Sequence, residues 1–221
     1  MDLEICLQAL GDVAPEAFTG KTVSIVGLGG VGSRIAELLV RHNVNVRLID
    51  KERVYLKELP RTTIFLAEDV SKFKAKQAKK RLEAINPDVT IKTFHEELTE
   101  DNAFLLRGDV IIDATNNNKI SHLVYAAAMK ENIPFFSTNC AGKKGSFVII
   151  NPETHPKEDT SSFDDDGVGT IKDDGMISPL PGILAGLLGN EVIQYFATKK
   201  LRSMHYFIDL DNRELSRNEF D

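Results

Sequence analysis

The run Gly27-Leu28-Gly29-Gly30-Val31-Gly32-Ser33 constrains this chain more than any other feature. It closes the apolar, β-branched stretch KTVSIVG (Lys21–Gly27). It precedes Val31, Ile35, Leu38 and Leu39, which recur at helical spacing. A strand, a glycine turn and a helix in that order let backbone approach a phosphate, and the helix N-terminus offers unpaired N–H groups and a positive dipole. A lone glycine pattern of this kind also suits a plain tight turn. Set between a strand and a helix, it points to a nucleotide-binding, Rossmann-like unit.

The rest of the chain agrees with that start. NVRLID (Asn45–Asp50), VTIKTF (Val89–Phe94), DVIIDA (Asp109–Ala114), IPFFST (Ile133–Thr138) and SFVIIN (Ser146–Asn151) predict five more strands. Helices are predicted over Lys72–Ile85, ending before Asn86-Pro87, and over Ile120–Asn132. Such alternation predicts a parallel sheet with helices on both faces. The Gly142–Gly145 turn is too short for a parallel crossover, so the sixth strand should run antiparallel to the fifth. Pro179–Ala197 resumes as a helix, and His205–Arg217 reads as two strands around an Asp-Asn turn. The expected fold class is α/β: a Rossmann-like, mostly parallel sheet with helices on both faces and antiparallel strands at the C-terminal end. One domain is expected over 1–221, with an N-terminal helical segment at 1–20, a nucleotide-binding core at 21–150, a crossover loop at 151–178 and a C-terminal helix and strands at 179–221.

Composition narrows the classes. At 221 residues with 42% hydrophobic and 27% charged side chains, the chain can bury one large core. A net charge of -6 argues against a dedicated nucleic-acid binder. Cys6 and Cys140 are too few for a disulfide framework or a four-thiolate zinc site, and so few cysteines fit the reducing cytosol. The N-terminus is acidic where a leader peptide would be basic. The most apolar window, Leu180–Ala197, carries Asn190, Glu191 and Gln194 and reads as a buried helix rather than a membrane span. A cytoplasmic protein with neither a nucleic-acid nor a membrane partner is expected.

Pro152–Ser178 is polar, with Glu158, Asp159, Asp164, Asp165, Asp166, Asp173 and Asp174 against Lys157 and Lys172. Its DDDG run invites a calcium reading. Counting from Asp164 puts Gly169 at the sixth position and Gly175 where a closing carboxylate is needed, so a solvated loop is the expectation. His42, His95, His122, His155 and His205 show no ligand spacing and read as surface or packing residues.

Asp50 ends the second strand 18 residues beyond Gly32, where an acid can accept hydrogen bonds from ribose hydroxyls. That placement suits NAD as well as ATP. The residues that follow are more particular. Asp50-Lys51-Glu52-Arg53-Val54-Tyr55-Leu56-Lys57-Glu58-Leu59-Pro60-Arg61 resembles a DxDxVxxxNLxR pattern, and Asp69-Val70-Ser71-Lys72-Phe73-Lys74 and Ala84-Ile85-Asn86-Pro87 follow it. Together with the glycine run, over roughly Lys21–Phe196, they resemble the ThiF/MoeB/HesA adenylyltransferases of the ubiquitin-activating-enzyme superfamily.

That resemblance implies an adenylation domain that binds ATP and Mg²⁺. It would adenylate the C-terminal glycine of a small ubiquitin-like or sulfur-carrier protein ending in Gly-Gly. It implies that Gly27, Gly29, Gly30 and Gly32 line the nucleotide. Asp50 would hold the ribose, with Glu52 among the nucleotide-binding positions, and Arg61 and Lys74 would grip the triphosphate. Fixed cations stabilise the charge that builds when a carboxylate attacks the α-phosphorus. Without the resemblance, Lys74 would be one lysine of KFKAKQAKKR on a solvated helix face.

The sequence departs from the family pattern at several points. In Asp113-Ala114-Thr115-Asn116-Asn117, Asn116 stands where the pattern has an acid that handles Mg²⁺; an amide oxygen can coordinate but brings no charge. Glu58 replaces an asparagine. No CxxC pair is present, so no zinc site is expected, and the crossover loop has no cysteine. Cys140 ends the fifth strand near the expected nucleotide, as a packing residue or as a thioester or persulfide site. No arginine precedes Lys21, which leaves Arg34 as the nearest basic residue. Gly182 and Gly186, four apart on the last helix, suit close internal packing or a homodimer surface. Three functions stand: an adenylyltransferase; a catalytically impaired relative that binds nucleotide and carrier as scaffold or regulator, motivated by Asn116 and Glu58; and an NAD-dependent oxidoreductase resting on the Rossmann-like elements alone.

Overall fold

The computed structural model describes residues 3–11, 13–155, 168 and 175–220. A short helix α1 (Glu4–Gln8) and a 3₁₀ turn (Pro15–Ala17) precede the sheet. Then follow β1 (Thr22–Val26), α2 (Gly30–Arg41), β2 (Asn45–Ile49), α3 (Lys74–Ile85), β3 (Ile91–Phe94), β4 (Val110–Asp113), α4 (Asn118–Lys130), β5 (Phe135–Ala141) and β6 (Lys144–Ile150). A 20-residue helix α5 (Pro179–Thr198) leads to the hairpin β7 (Met204–Asp209) and β8 (Glu214–Glu219).

The eight strands form one sheet in the order β3-β2-β1-β4-β5-β6-β7-β8. β3, β2, β1, β4 and β5 run parallel to one another, and β5-β6, β6-β7 and β7-β8 pair antiparallel. The expected α/β class with antiparallel strands at the C-terminal end is what forms. Alternating side chains divide the strands between two cores. Val23, Ile25, Val46, Leu48, Ile112, Phe136 and Phe147 join Ile35, Leu39, Leu82, Leu184 and Leu188 of α2, α3 and α5 on one face. Val26, Ile49, Ile111, Phe135 and Val148 join Val124, Tyr125 and Met129 of α4 on the other.

Several element ends differ from expectation. β5 runs on to Ala141 and β6 starts at Lys144, so Gly142 and Lys143 alone make the turn, with Gly142 at φ +55°. α3 begins at Lys74 rather than Lys72, because residues 71–73 are tied to the preceding segment. Val54 donates to the Lys72 carbonyl, Ser71 donates to the Val54 carbonyl, and Arg53 bridges Phe73. The sequence pattern also gave no sign of the 3₁₀ turns at Leu56–Arg61 and Ala67–Asp69. The seven acids named above, between Glu158 and Asp174, lie outside the described residues. So does the calcium reading that began at Asp164, apart from Val168 and Gly175. Gly175 and Ile177 pair across Gly142: Gly142 donates to the Gly175 carbonyl at 2.9 Å and Ile177 to the Gly142 carbonyl at 3.0 Å. Among the described residues no helix is long and apolar enough to cross a membrane.

Candidate active site

β1 leads outward to β2 and β3 on one side, and β4 lies on its other side. The sheet therefore changes direction beside the carboxyl end of β1, the switch point at which open α/β sheets bind ligands. A cavity of about 350 Å³ opens there. Its walls come from the glycine run, the residues after β2, the start of α3, the residues after β4 and the end of β5.

The glycine run is shaped by close approach. Gly27 sits at φ +87°, and a Cβ there would stand 2.7 Å from the Ala114 carbonyl oxygen. A Cβ on Gly32 would lie 2.0 Å from the Gly27 oxygen, so α2 could not seat against the turn. Gly29 caps α2 with nothing within 4 Å of its missing side chain. Ser33 donates the first helical bond to the Gly29 carbonyl, which leaves the preceding N–H groups at the helix mouth without intrahelical partners. Gly27, Gly29 and Gly30 line the cavity, whereas Gly32 supports the turn from behind and does not.

Asp50 is buried at the carboxyl end of β2. Leu28 N–H donates to its Oδ2 and Glu52 N–H to its Oδ1, each at 2.7 Å. Burial pushes its carboxyl above the ordinary range, opposed by Lys74 and the two amide donors. A carboxylate has room for further donors after these two.

Lys74 begins α3, yet only 2% of it is exposed. Its Nζ donates to Glu52 Oε2 at 2.7 Å and to Glu58 Oε1 at 2.8 Å. Burial pulls the ammonium down, but Asp50, Glu52 and Glu58 outweigh it and hold the group above its ordinary value. Arg61 Nη2 donates to the same Glu58 Oε1 at 3.2 Å, and Tyr55 N–H donates to Glu58 Oε2 at 3.1 Å. Glu58 is thus a buried hub that joins both cations. The sequence reading treated it only as a departure from pattern. No local signal marked it: its bond from Tyr55 N–H has the reach of a capping acid three residues on, but tyrosine is not a residue that announces a helix start.

Asn116 also lines the cavity, at φ +55°. Its Nδ2 donates to the Cys140 carbonyl at 2.9 Å, and its Oδ1 accepts from Cys140 N–H at 2.8 Å. Both ends of the amide are committed to backbone. Asp113 is fully buried and faces elsewhere: Thr115 N–H and Oγ1 donate to Oδ1, and Ser121 and Ser137 hydroxyls donate to Oδ2. Burial holds it above the ordinary carboxyl range against those four donors. Cys140 Sγ packs 3.8 Å from Met176 Sδ on the cavity wall. Arg34 lies against Gly182 at the start of α5, outside the cavity lining. Among the described residues no three His, Cys, Asp or Glu side chains are grouped to hold a metal ion.

One cavity therefore gathers Gly27, Gly29, Gly30, Asp50, Glu52, Arg61, Lys74 and Asn116, and leaves Gly32 out.

Known proteins resemble the chain in sequence and in fold. It is 36% identical over 137 residues to the sulfur carrier protein ThiS adenylyltransferase of Bacillus subtilis, covering 60% of this chain and 41% of that protein. It is 26% identical over 196 residues to the molybdopterin-synthase adenylyltransferase of Haemophilus influenzae, covering 86% of this chain and 81% of that protein. The chain spans about half the length of the sulfur-carrier adenylyltransferases it matches. A crystal structure of Escherichia coli MccB shares the fold with a TM-score of 0.81 at 17% identity, covering 93% of this chain and 63% of that one. The sequence profile of the ThiF family matches residues 2–221, and the chain belongs to that family.

Proposed function

We propose that this protein is an ATP-dependent adenylyltransferase that activates the C-terminal glycine of a small ubiquitin-like or sulfur-carrier protein. The observation that carries the reading is the single cavity at the sheet's switch point, where the open helix mouth at Gly29, the Asp50 carboxyl and the cations Lys74 and Arg61 face one space. The relatives named as sulfur-carrier and molybdopterin-synthase adenylyltransferases support the choice of substrate class.

In this reading Asp50 accepts from the ribose hydroxyls, and the helix mouth and Gly30 lie along the phosphates. A carboxylate oxygen of the carrier's terminal glycine attacks the α-phosphorus. A new P–O bond forms, the bond to the β-phosphate oxygen breaks, and pyrophosphate leaves with the electron pair. Lys74 and Arg61 stabilise the charge on the departing phosphates, Arg61 through a planar fork and Lys74 as a point charge. Mg²⁺ enters as part of the metal-nucleotide substrate. Its charge is balanced by phosphate oxygens, because Asn116 brings none. The Gly-Gly tail reaches the cavity past Met176. We place the protein in the cytoplasm as a homodimer.

Incorporation of labelled pyrophosphate into ATP, dependent on the carrier's terminal glycine, is the expected result. Absence of exchange with every carrier encoded beside it would sink the reading. A second reading, a nucleotide-binding scaffold without turnover, draws on the committed Asn116 amide. It predicts a thermal shift with ATP and no AMP production, and robust exchange excludes it.

A further inference from the structure

The deep end of the cavity sets three carboxyl groups, Asp50, Glu52 and Glu58, against two cations, Lys74 and Arg61. Each cation already has a carboxylate partner. Lys74 has Glu52 at 2.7 Å and Glu58 at 2.8 Å, and Arg61 has Glu58 at 3.2 Å. Glu52 is half exposed and can turn to solvent. Glu58 is 5% exposed and is pinned on its other oxygen by Tyr55 N–H. Lys74 spends two of its three N–H donors on these partners and Arg61 one of its five, so a polyphosphate that takes the remaining donors shares both cations with a buried carboxylate that has nowhere to go. Its negative charges then lie close to that carboxylate, and like charges at short range in a buried site repel.

We propose that Glu58 is a resident counter-ion that sets the specificity of this cavity for metal-complexed over metal-free polyphosphate. The inference rests on the nucleotide reading of the site. A divalent cation riding on the phosphates cancels much of the charge that Glu58 opposes, while the adenosine part of the ligand meets Glu58 not at all. Glu58 is then a selector acting through Lys74 and Arg61. A role confined to holding the 3₁₀ turn would give no dependence on the metal.

The test is calorimetric titration of the full chain with adenosine, with ATP in a chelator and with ATP in excess magnesium, for wild type, Glu58→Gln and Glu52→Gln. Wild type should bind metal-free ATP at least about tenfold more weakly than magnesium-ATP. Glu58→Gln should tighten metal-free ATP by about tenfold and leave adenosine within about twofold of wild type. Glu52→Gln, which touches Lys74 alone, should show a smaller gain in the same direction.

The wild-type comparison needs no variant, and equal affinity for the two forms of ATP overturns the proposal even if Glu58→Gln does not fold. Weaker ATP binding by a folded Glu58→Gln with unchanged adenosine also overturns it, because Glu58 would then be orienting the cations for phosphate. If wild type binds neither adenosine nor either form of ATP, the nucleotide reading itself falls and this proposal falls with it.

Discussion

Asn116 shows how one side chain can define a wall. Its backbone is left-handed, a conformation that asparagine tolerates better than most residues, and its amide completes a two-bond pairing with Cys140 as a neighbouring strand would. Asn116→Asp would remove the donor to the Cys140 carbonyl and set a carboxylate against that oxygen. A loss of about 1–3 kcal/mol in unfolding free energy is expected, read from urea melts at pH 7. A variant as stable as wild type would show that the pairing carries no weight. Gly27 and Asp50 were legible from spacing, because a glycine turn and a strand end announce themselves locally; Arg61 and Lys74 were legible only through the family resemblance, since alone each is one more surface cation. The Asn116 pairing and the Glu58 hub were not. Their partners lie 24 and 16 residues away along the chain, and no periodicity records a contact made only by folding.

At the scale of elements, the β1–turn–α2 unit separates two kinds of glycine. Gly32→Ala would drive a methyl group into the Gly27 carbonyl, where backbone must shift. We expect a loss of about 3 kcal/mol or more. Gly29→Ala meets no protein atom and sits at an ordinary negative φ, so its melting temperature should stay within a few degrees of wild type while ATP binding weakens. Parallel thermal scans with and without ATP separate the two, and equal destabilisation by both would refute the distinction. The sequence placed each strand and helix, since alternation and helical spacing are strong over such runs. It misplaced ends where long-range pairing decides them: β5 extends because β6 pairs with it to Ala141, and α3 starts late because residues 71–73 bond back to the Val54 strip.

For the whole molecule, the parallel class followed from alternation, but the insertion of β4 beside β1 did not. That step is fixed by two hydrophobic faces that must each be covered. The larger face is closed by α5 lying against α2, with Leu188 fully buried between helix and sheet and Leu38 set against Gly189. Leu188→Ala should cost about 2–5 kcal/mol in one cooperative transition, measured by denaturant titration. Two separated transitions would show that the hairpin end folds apart from the parallel half.

β5 makes such a separation implausible in mechanical terms. It is the seam strand: parallel to β4 on one edge, antiparallel to β6 on the other, with Thr138 and Cys140 facing the cavity near its end. Gly175 and Ile177 are stitched to that seam by two backbone bonds at Gly142, and Met176 between them rests on Cys140. Any shift of the Gly175–Ile177 strip is therefore a shift of the cavity's Met176 wall, with no relay of intervening side chains required.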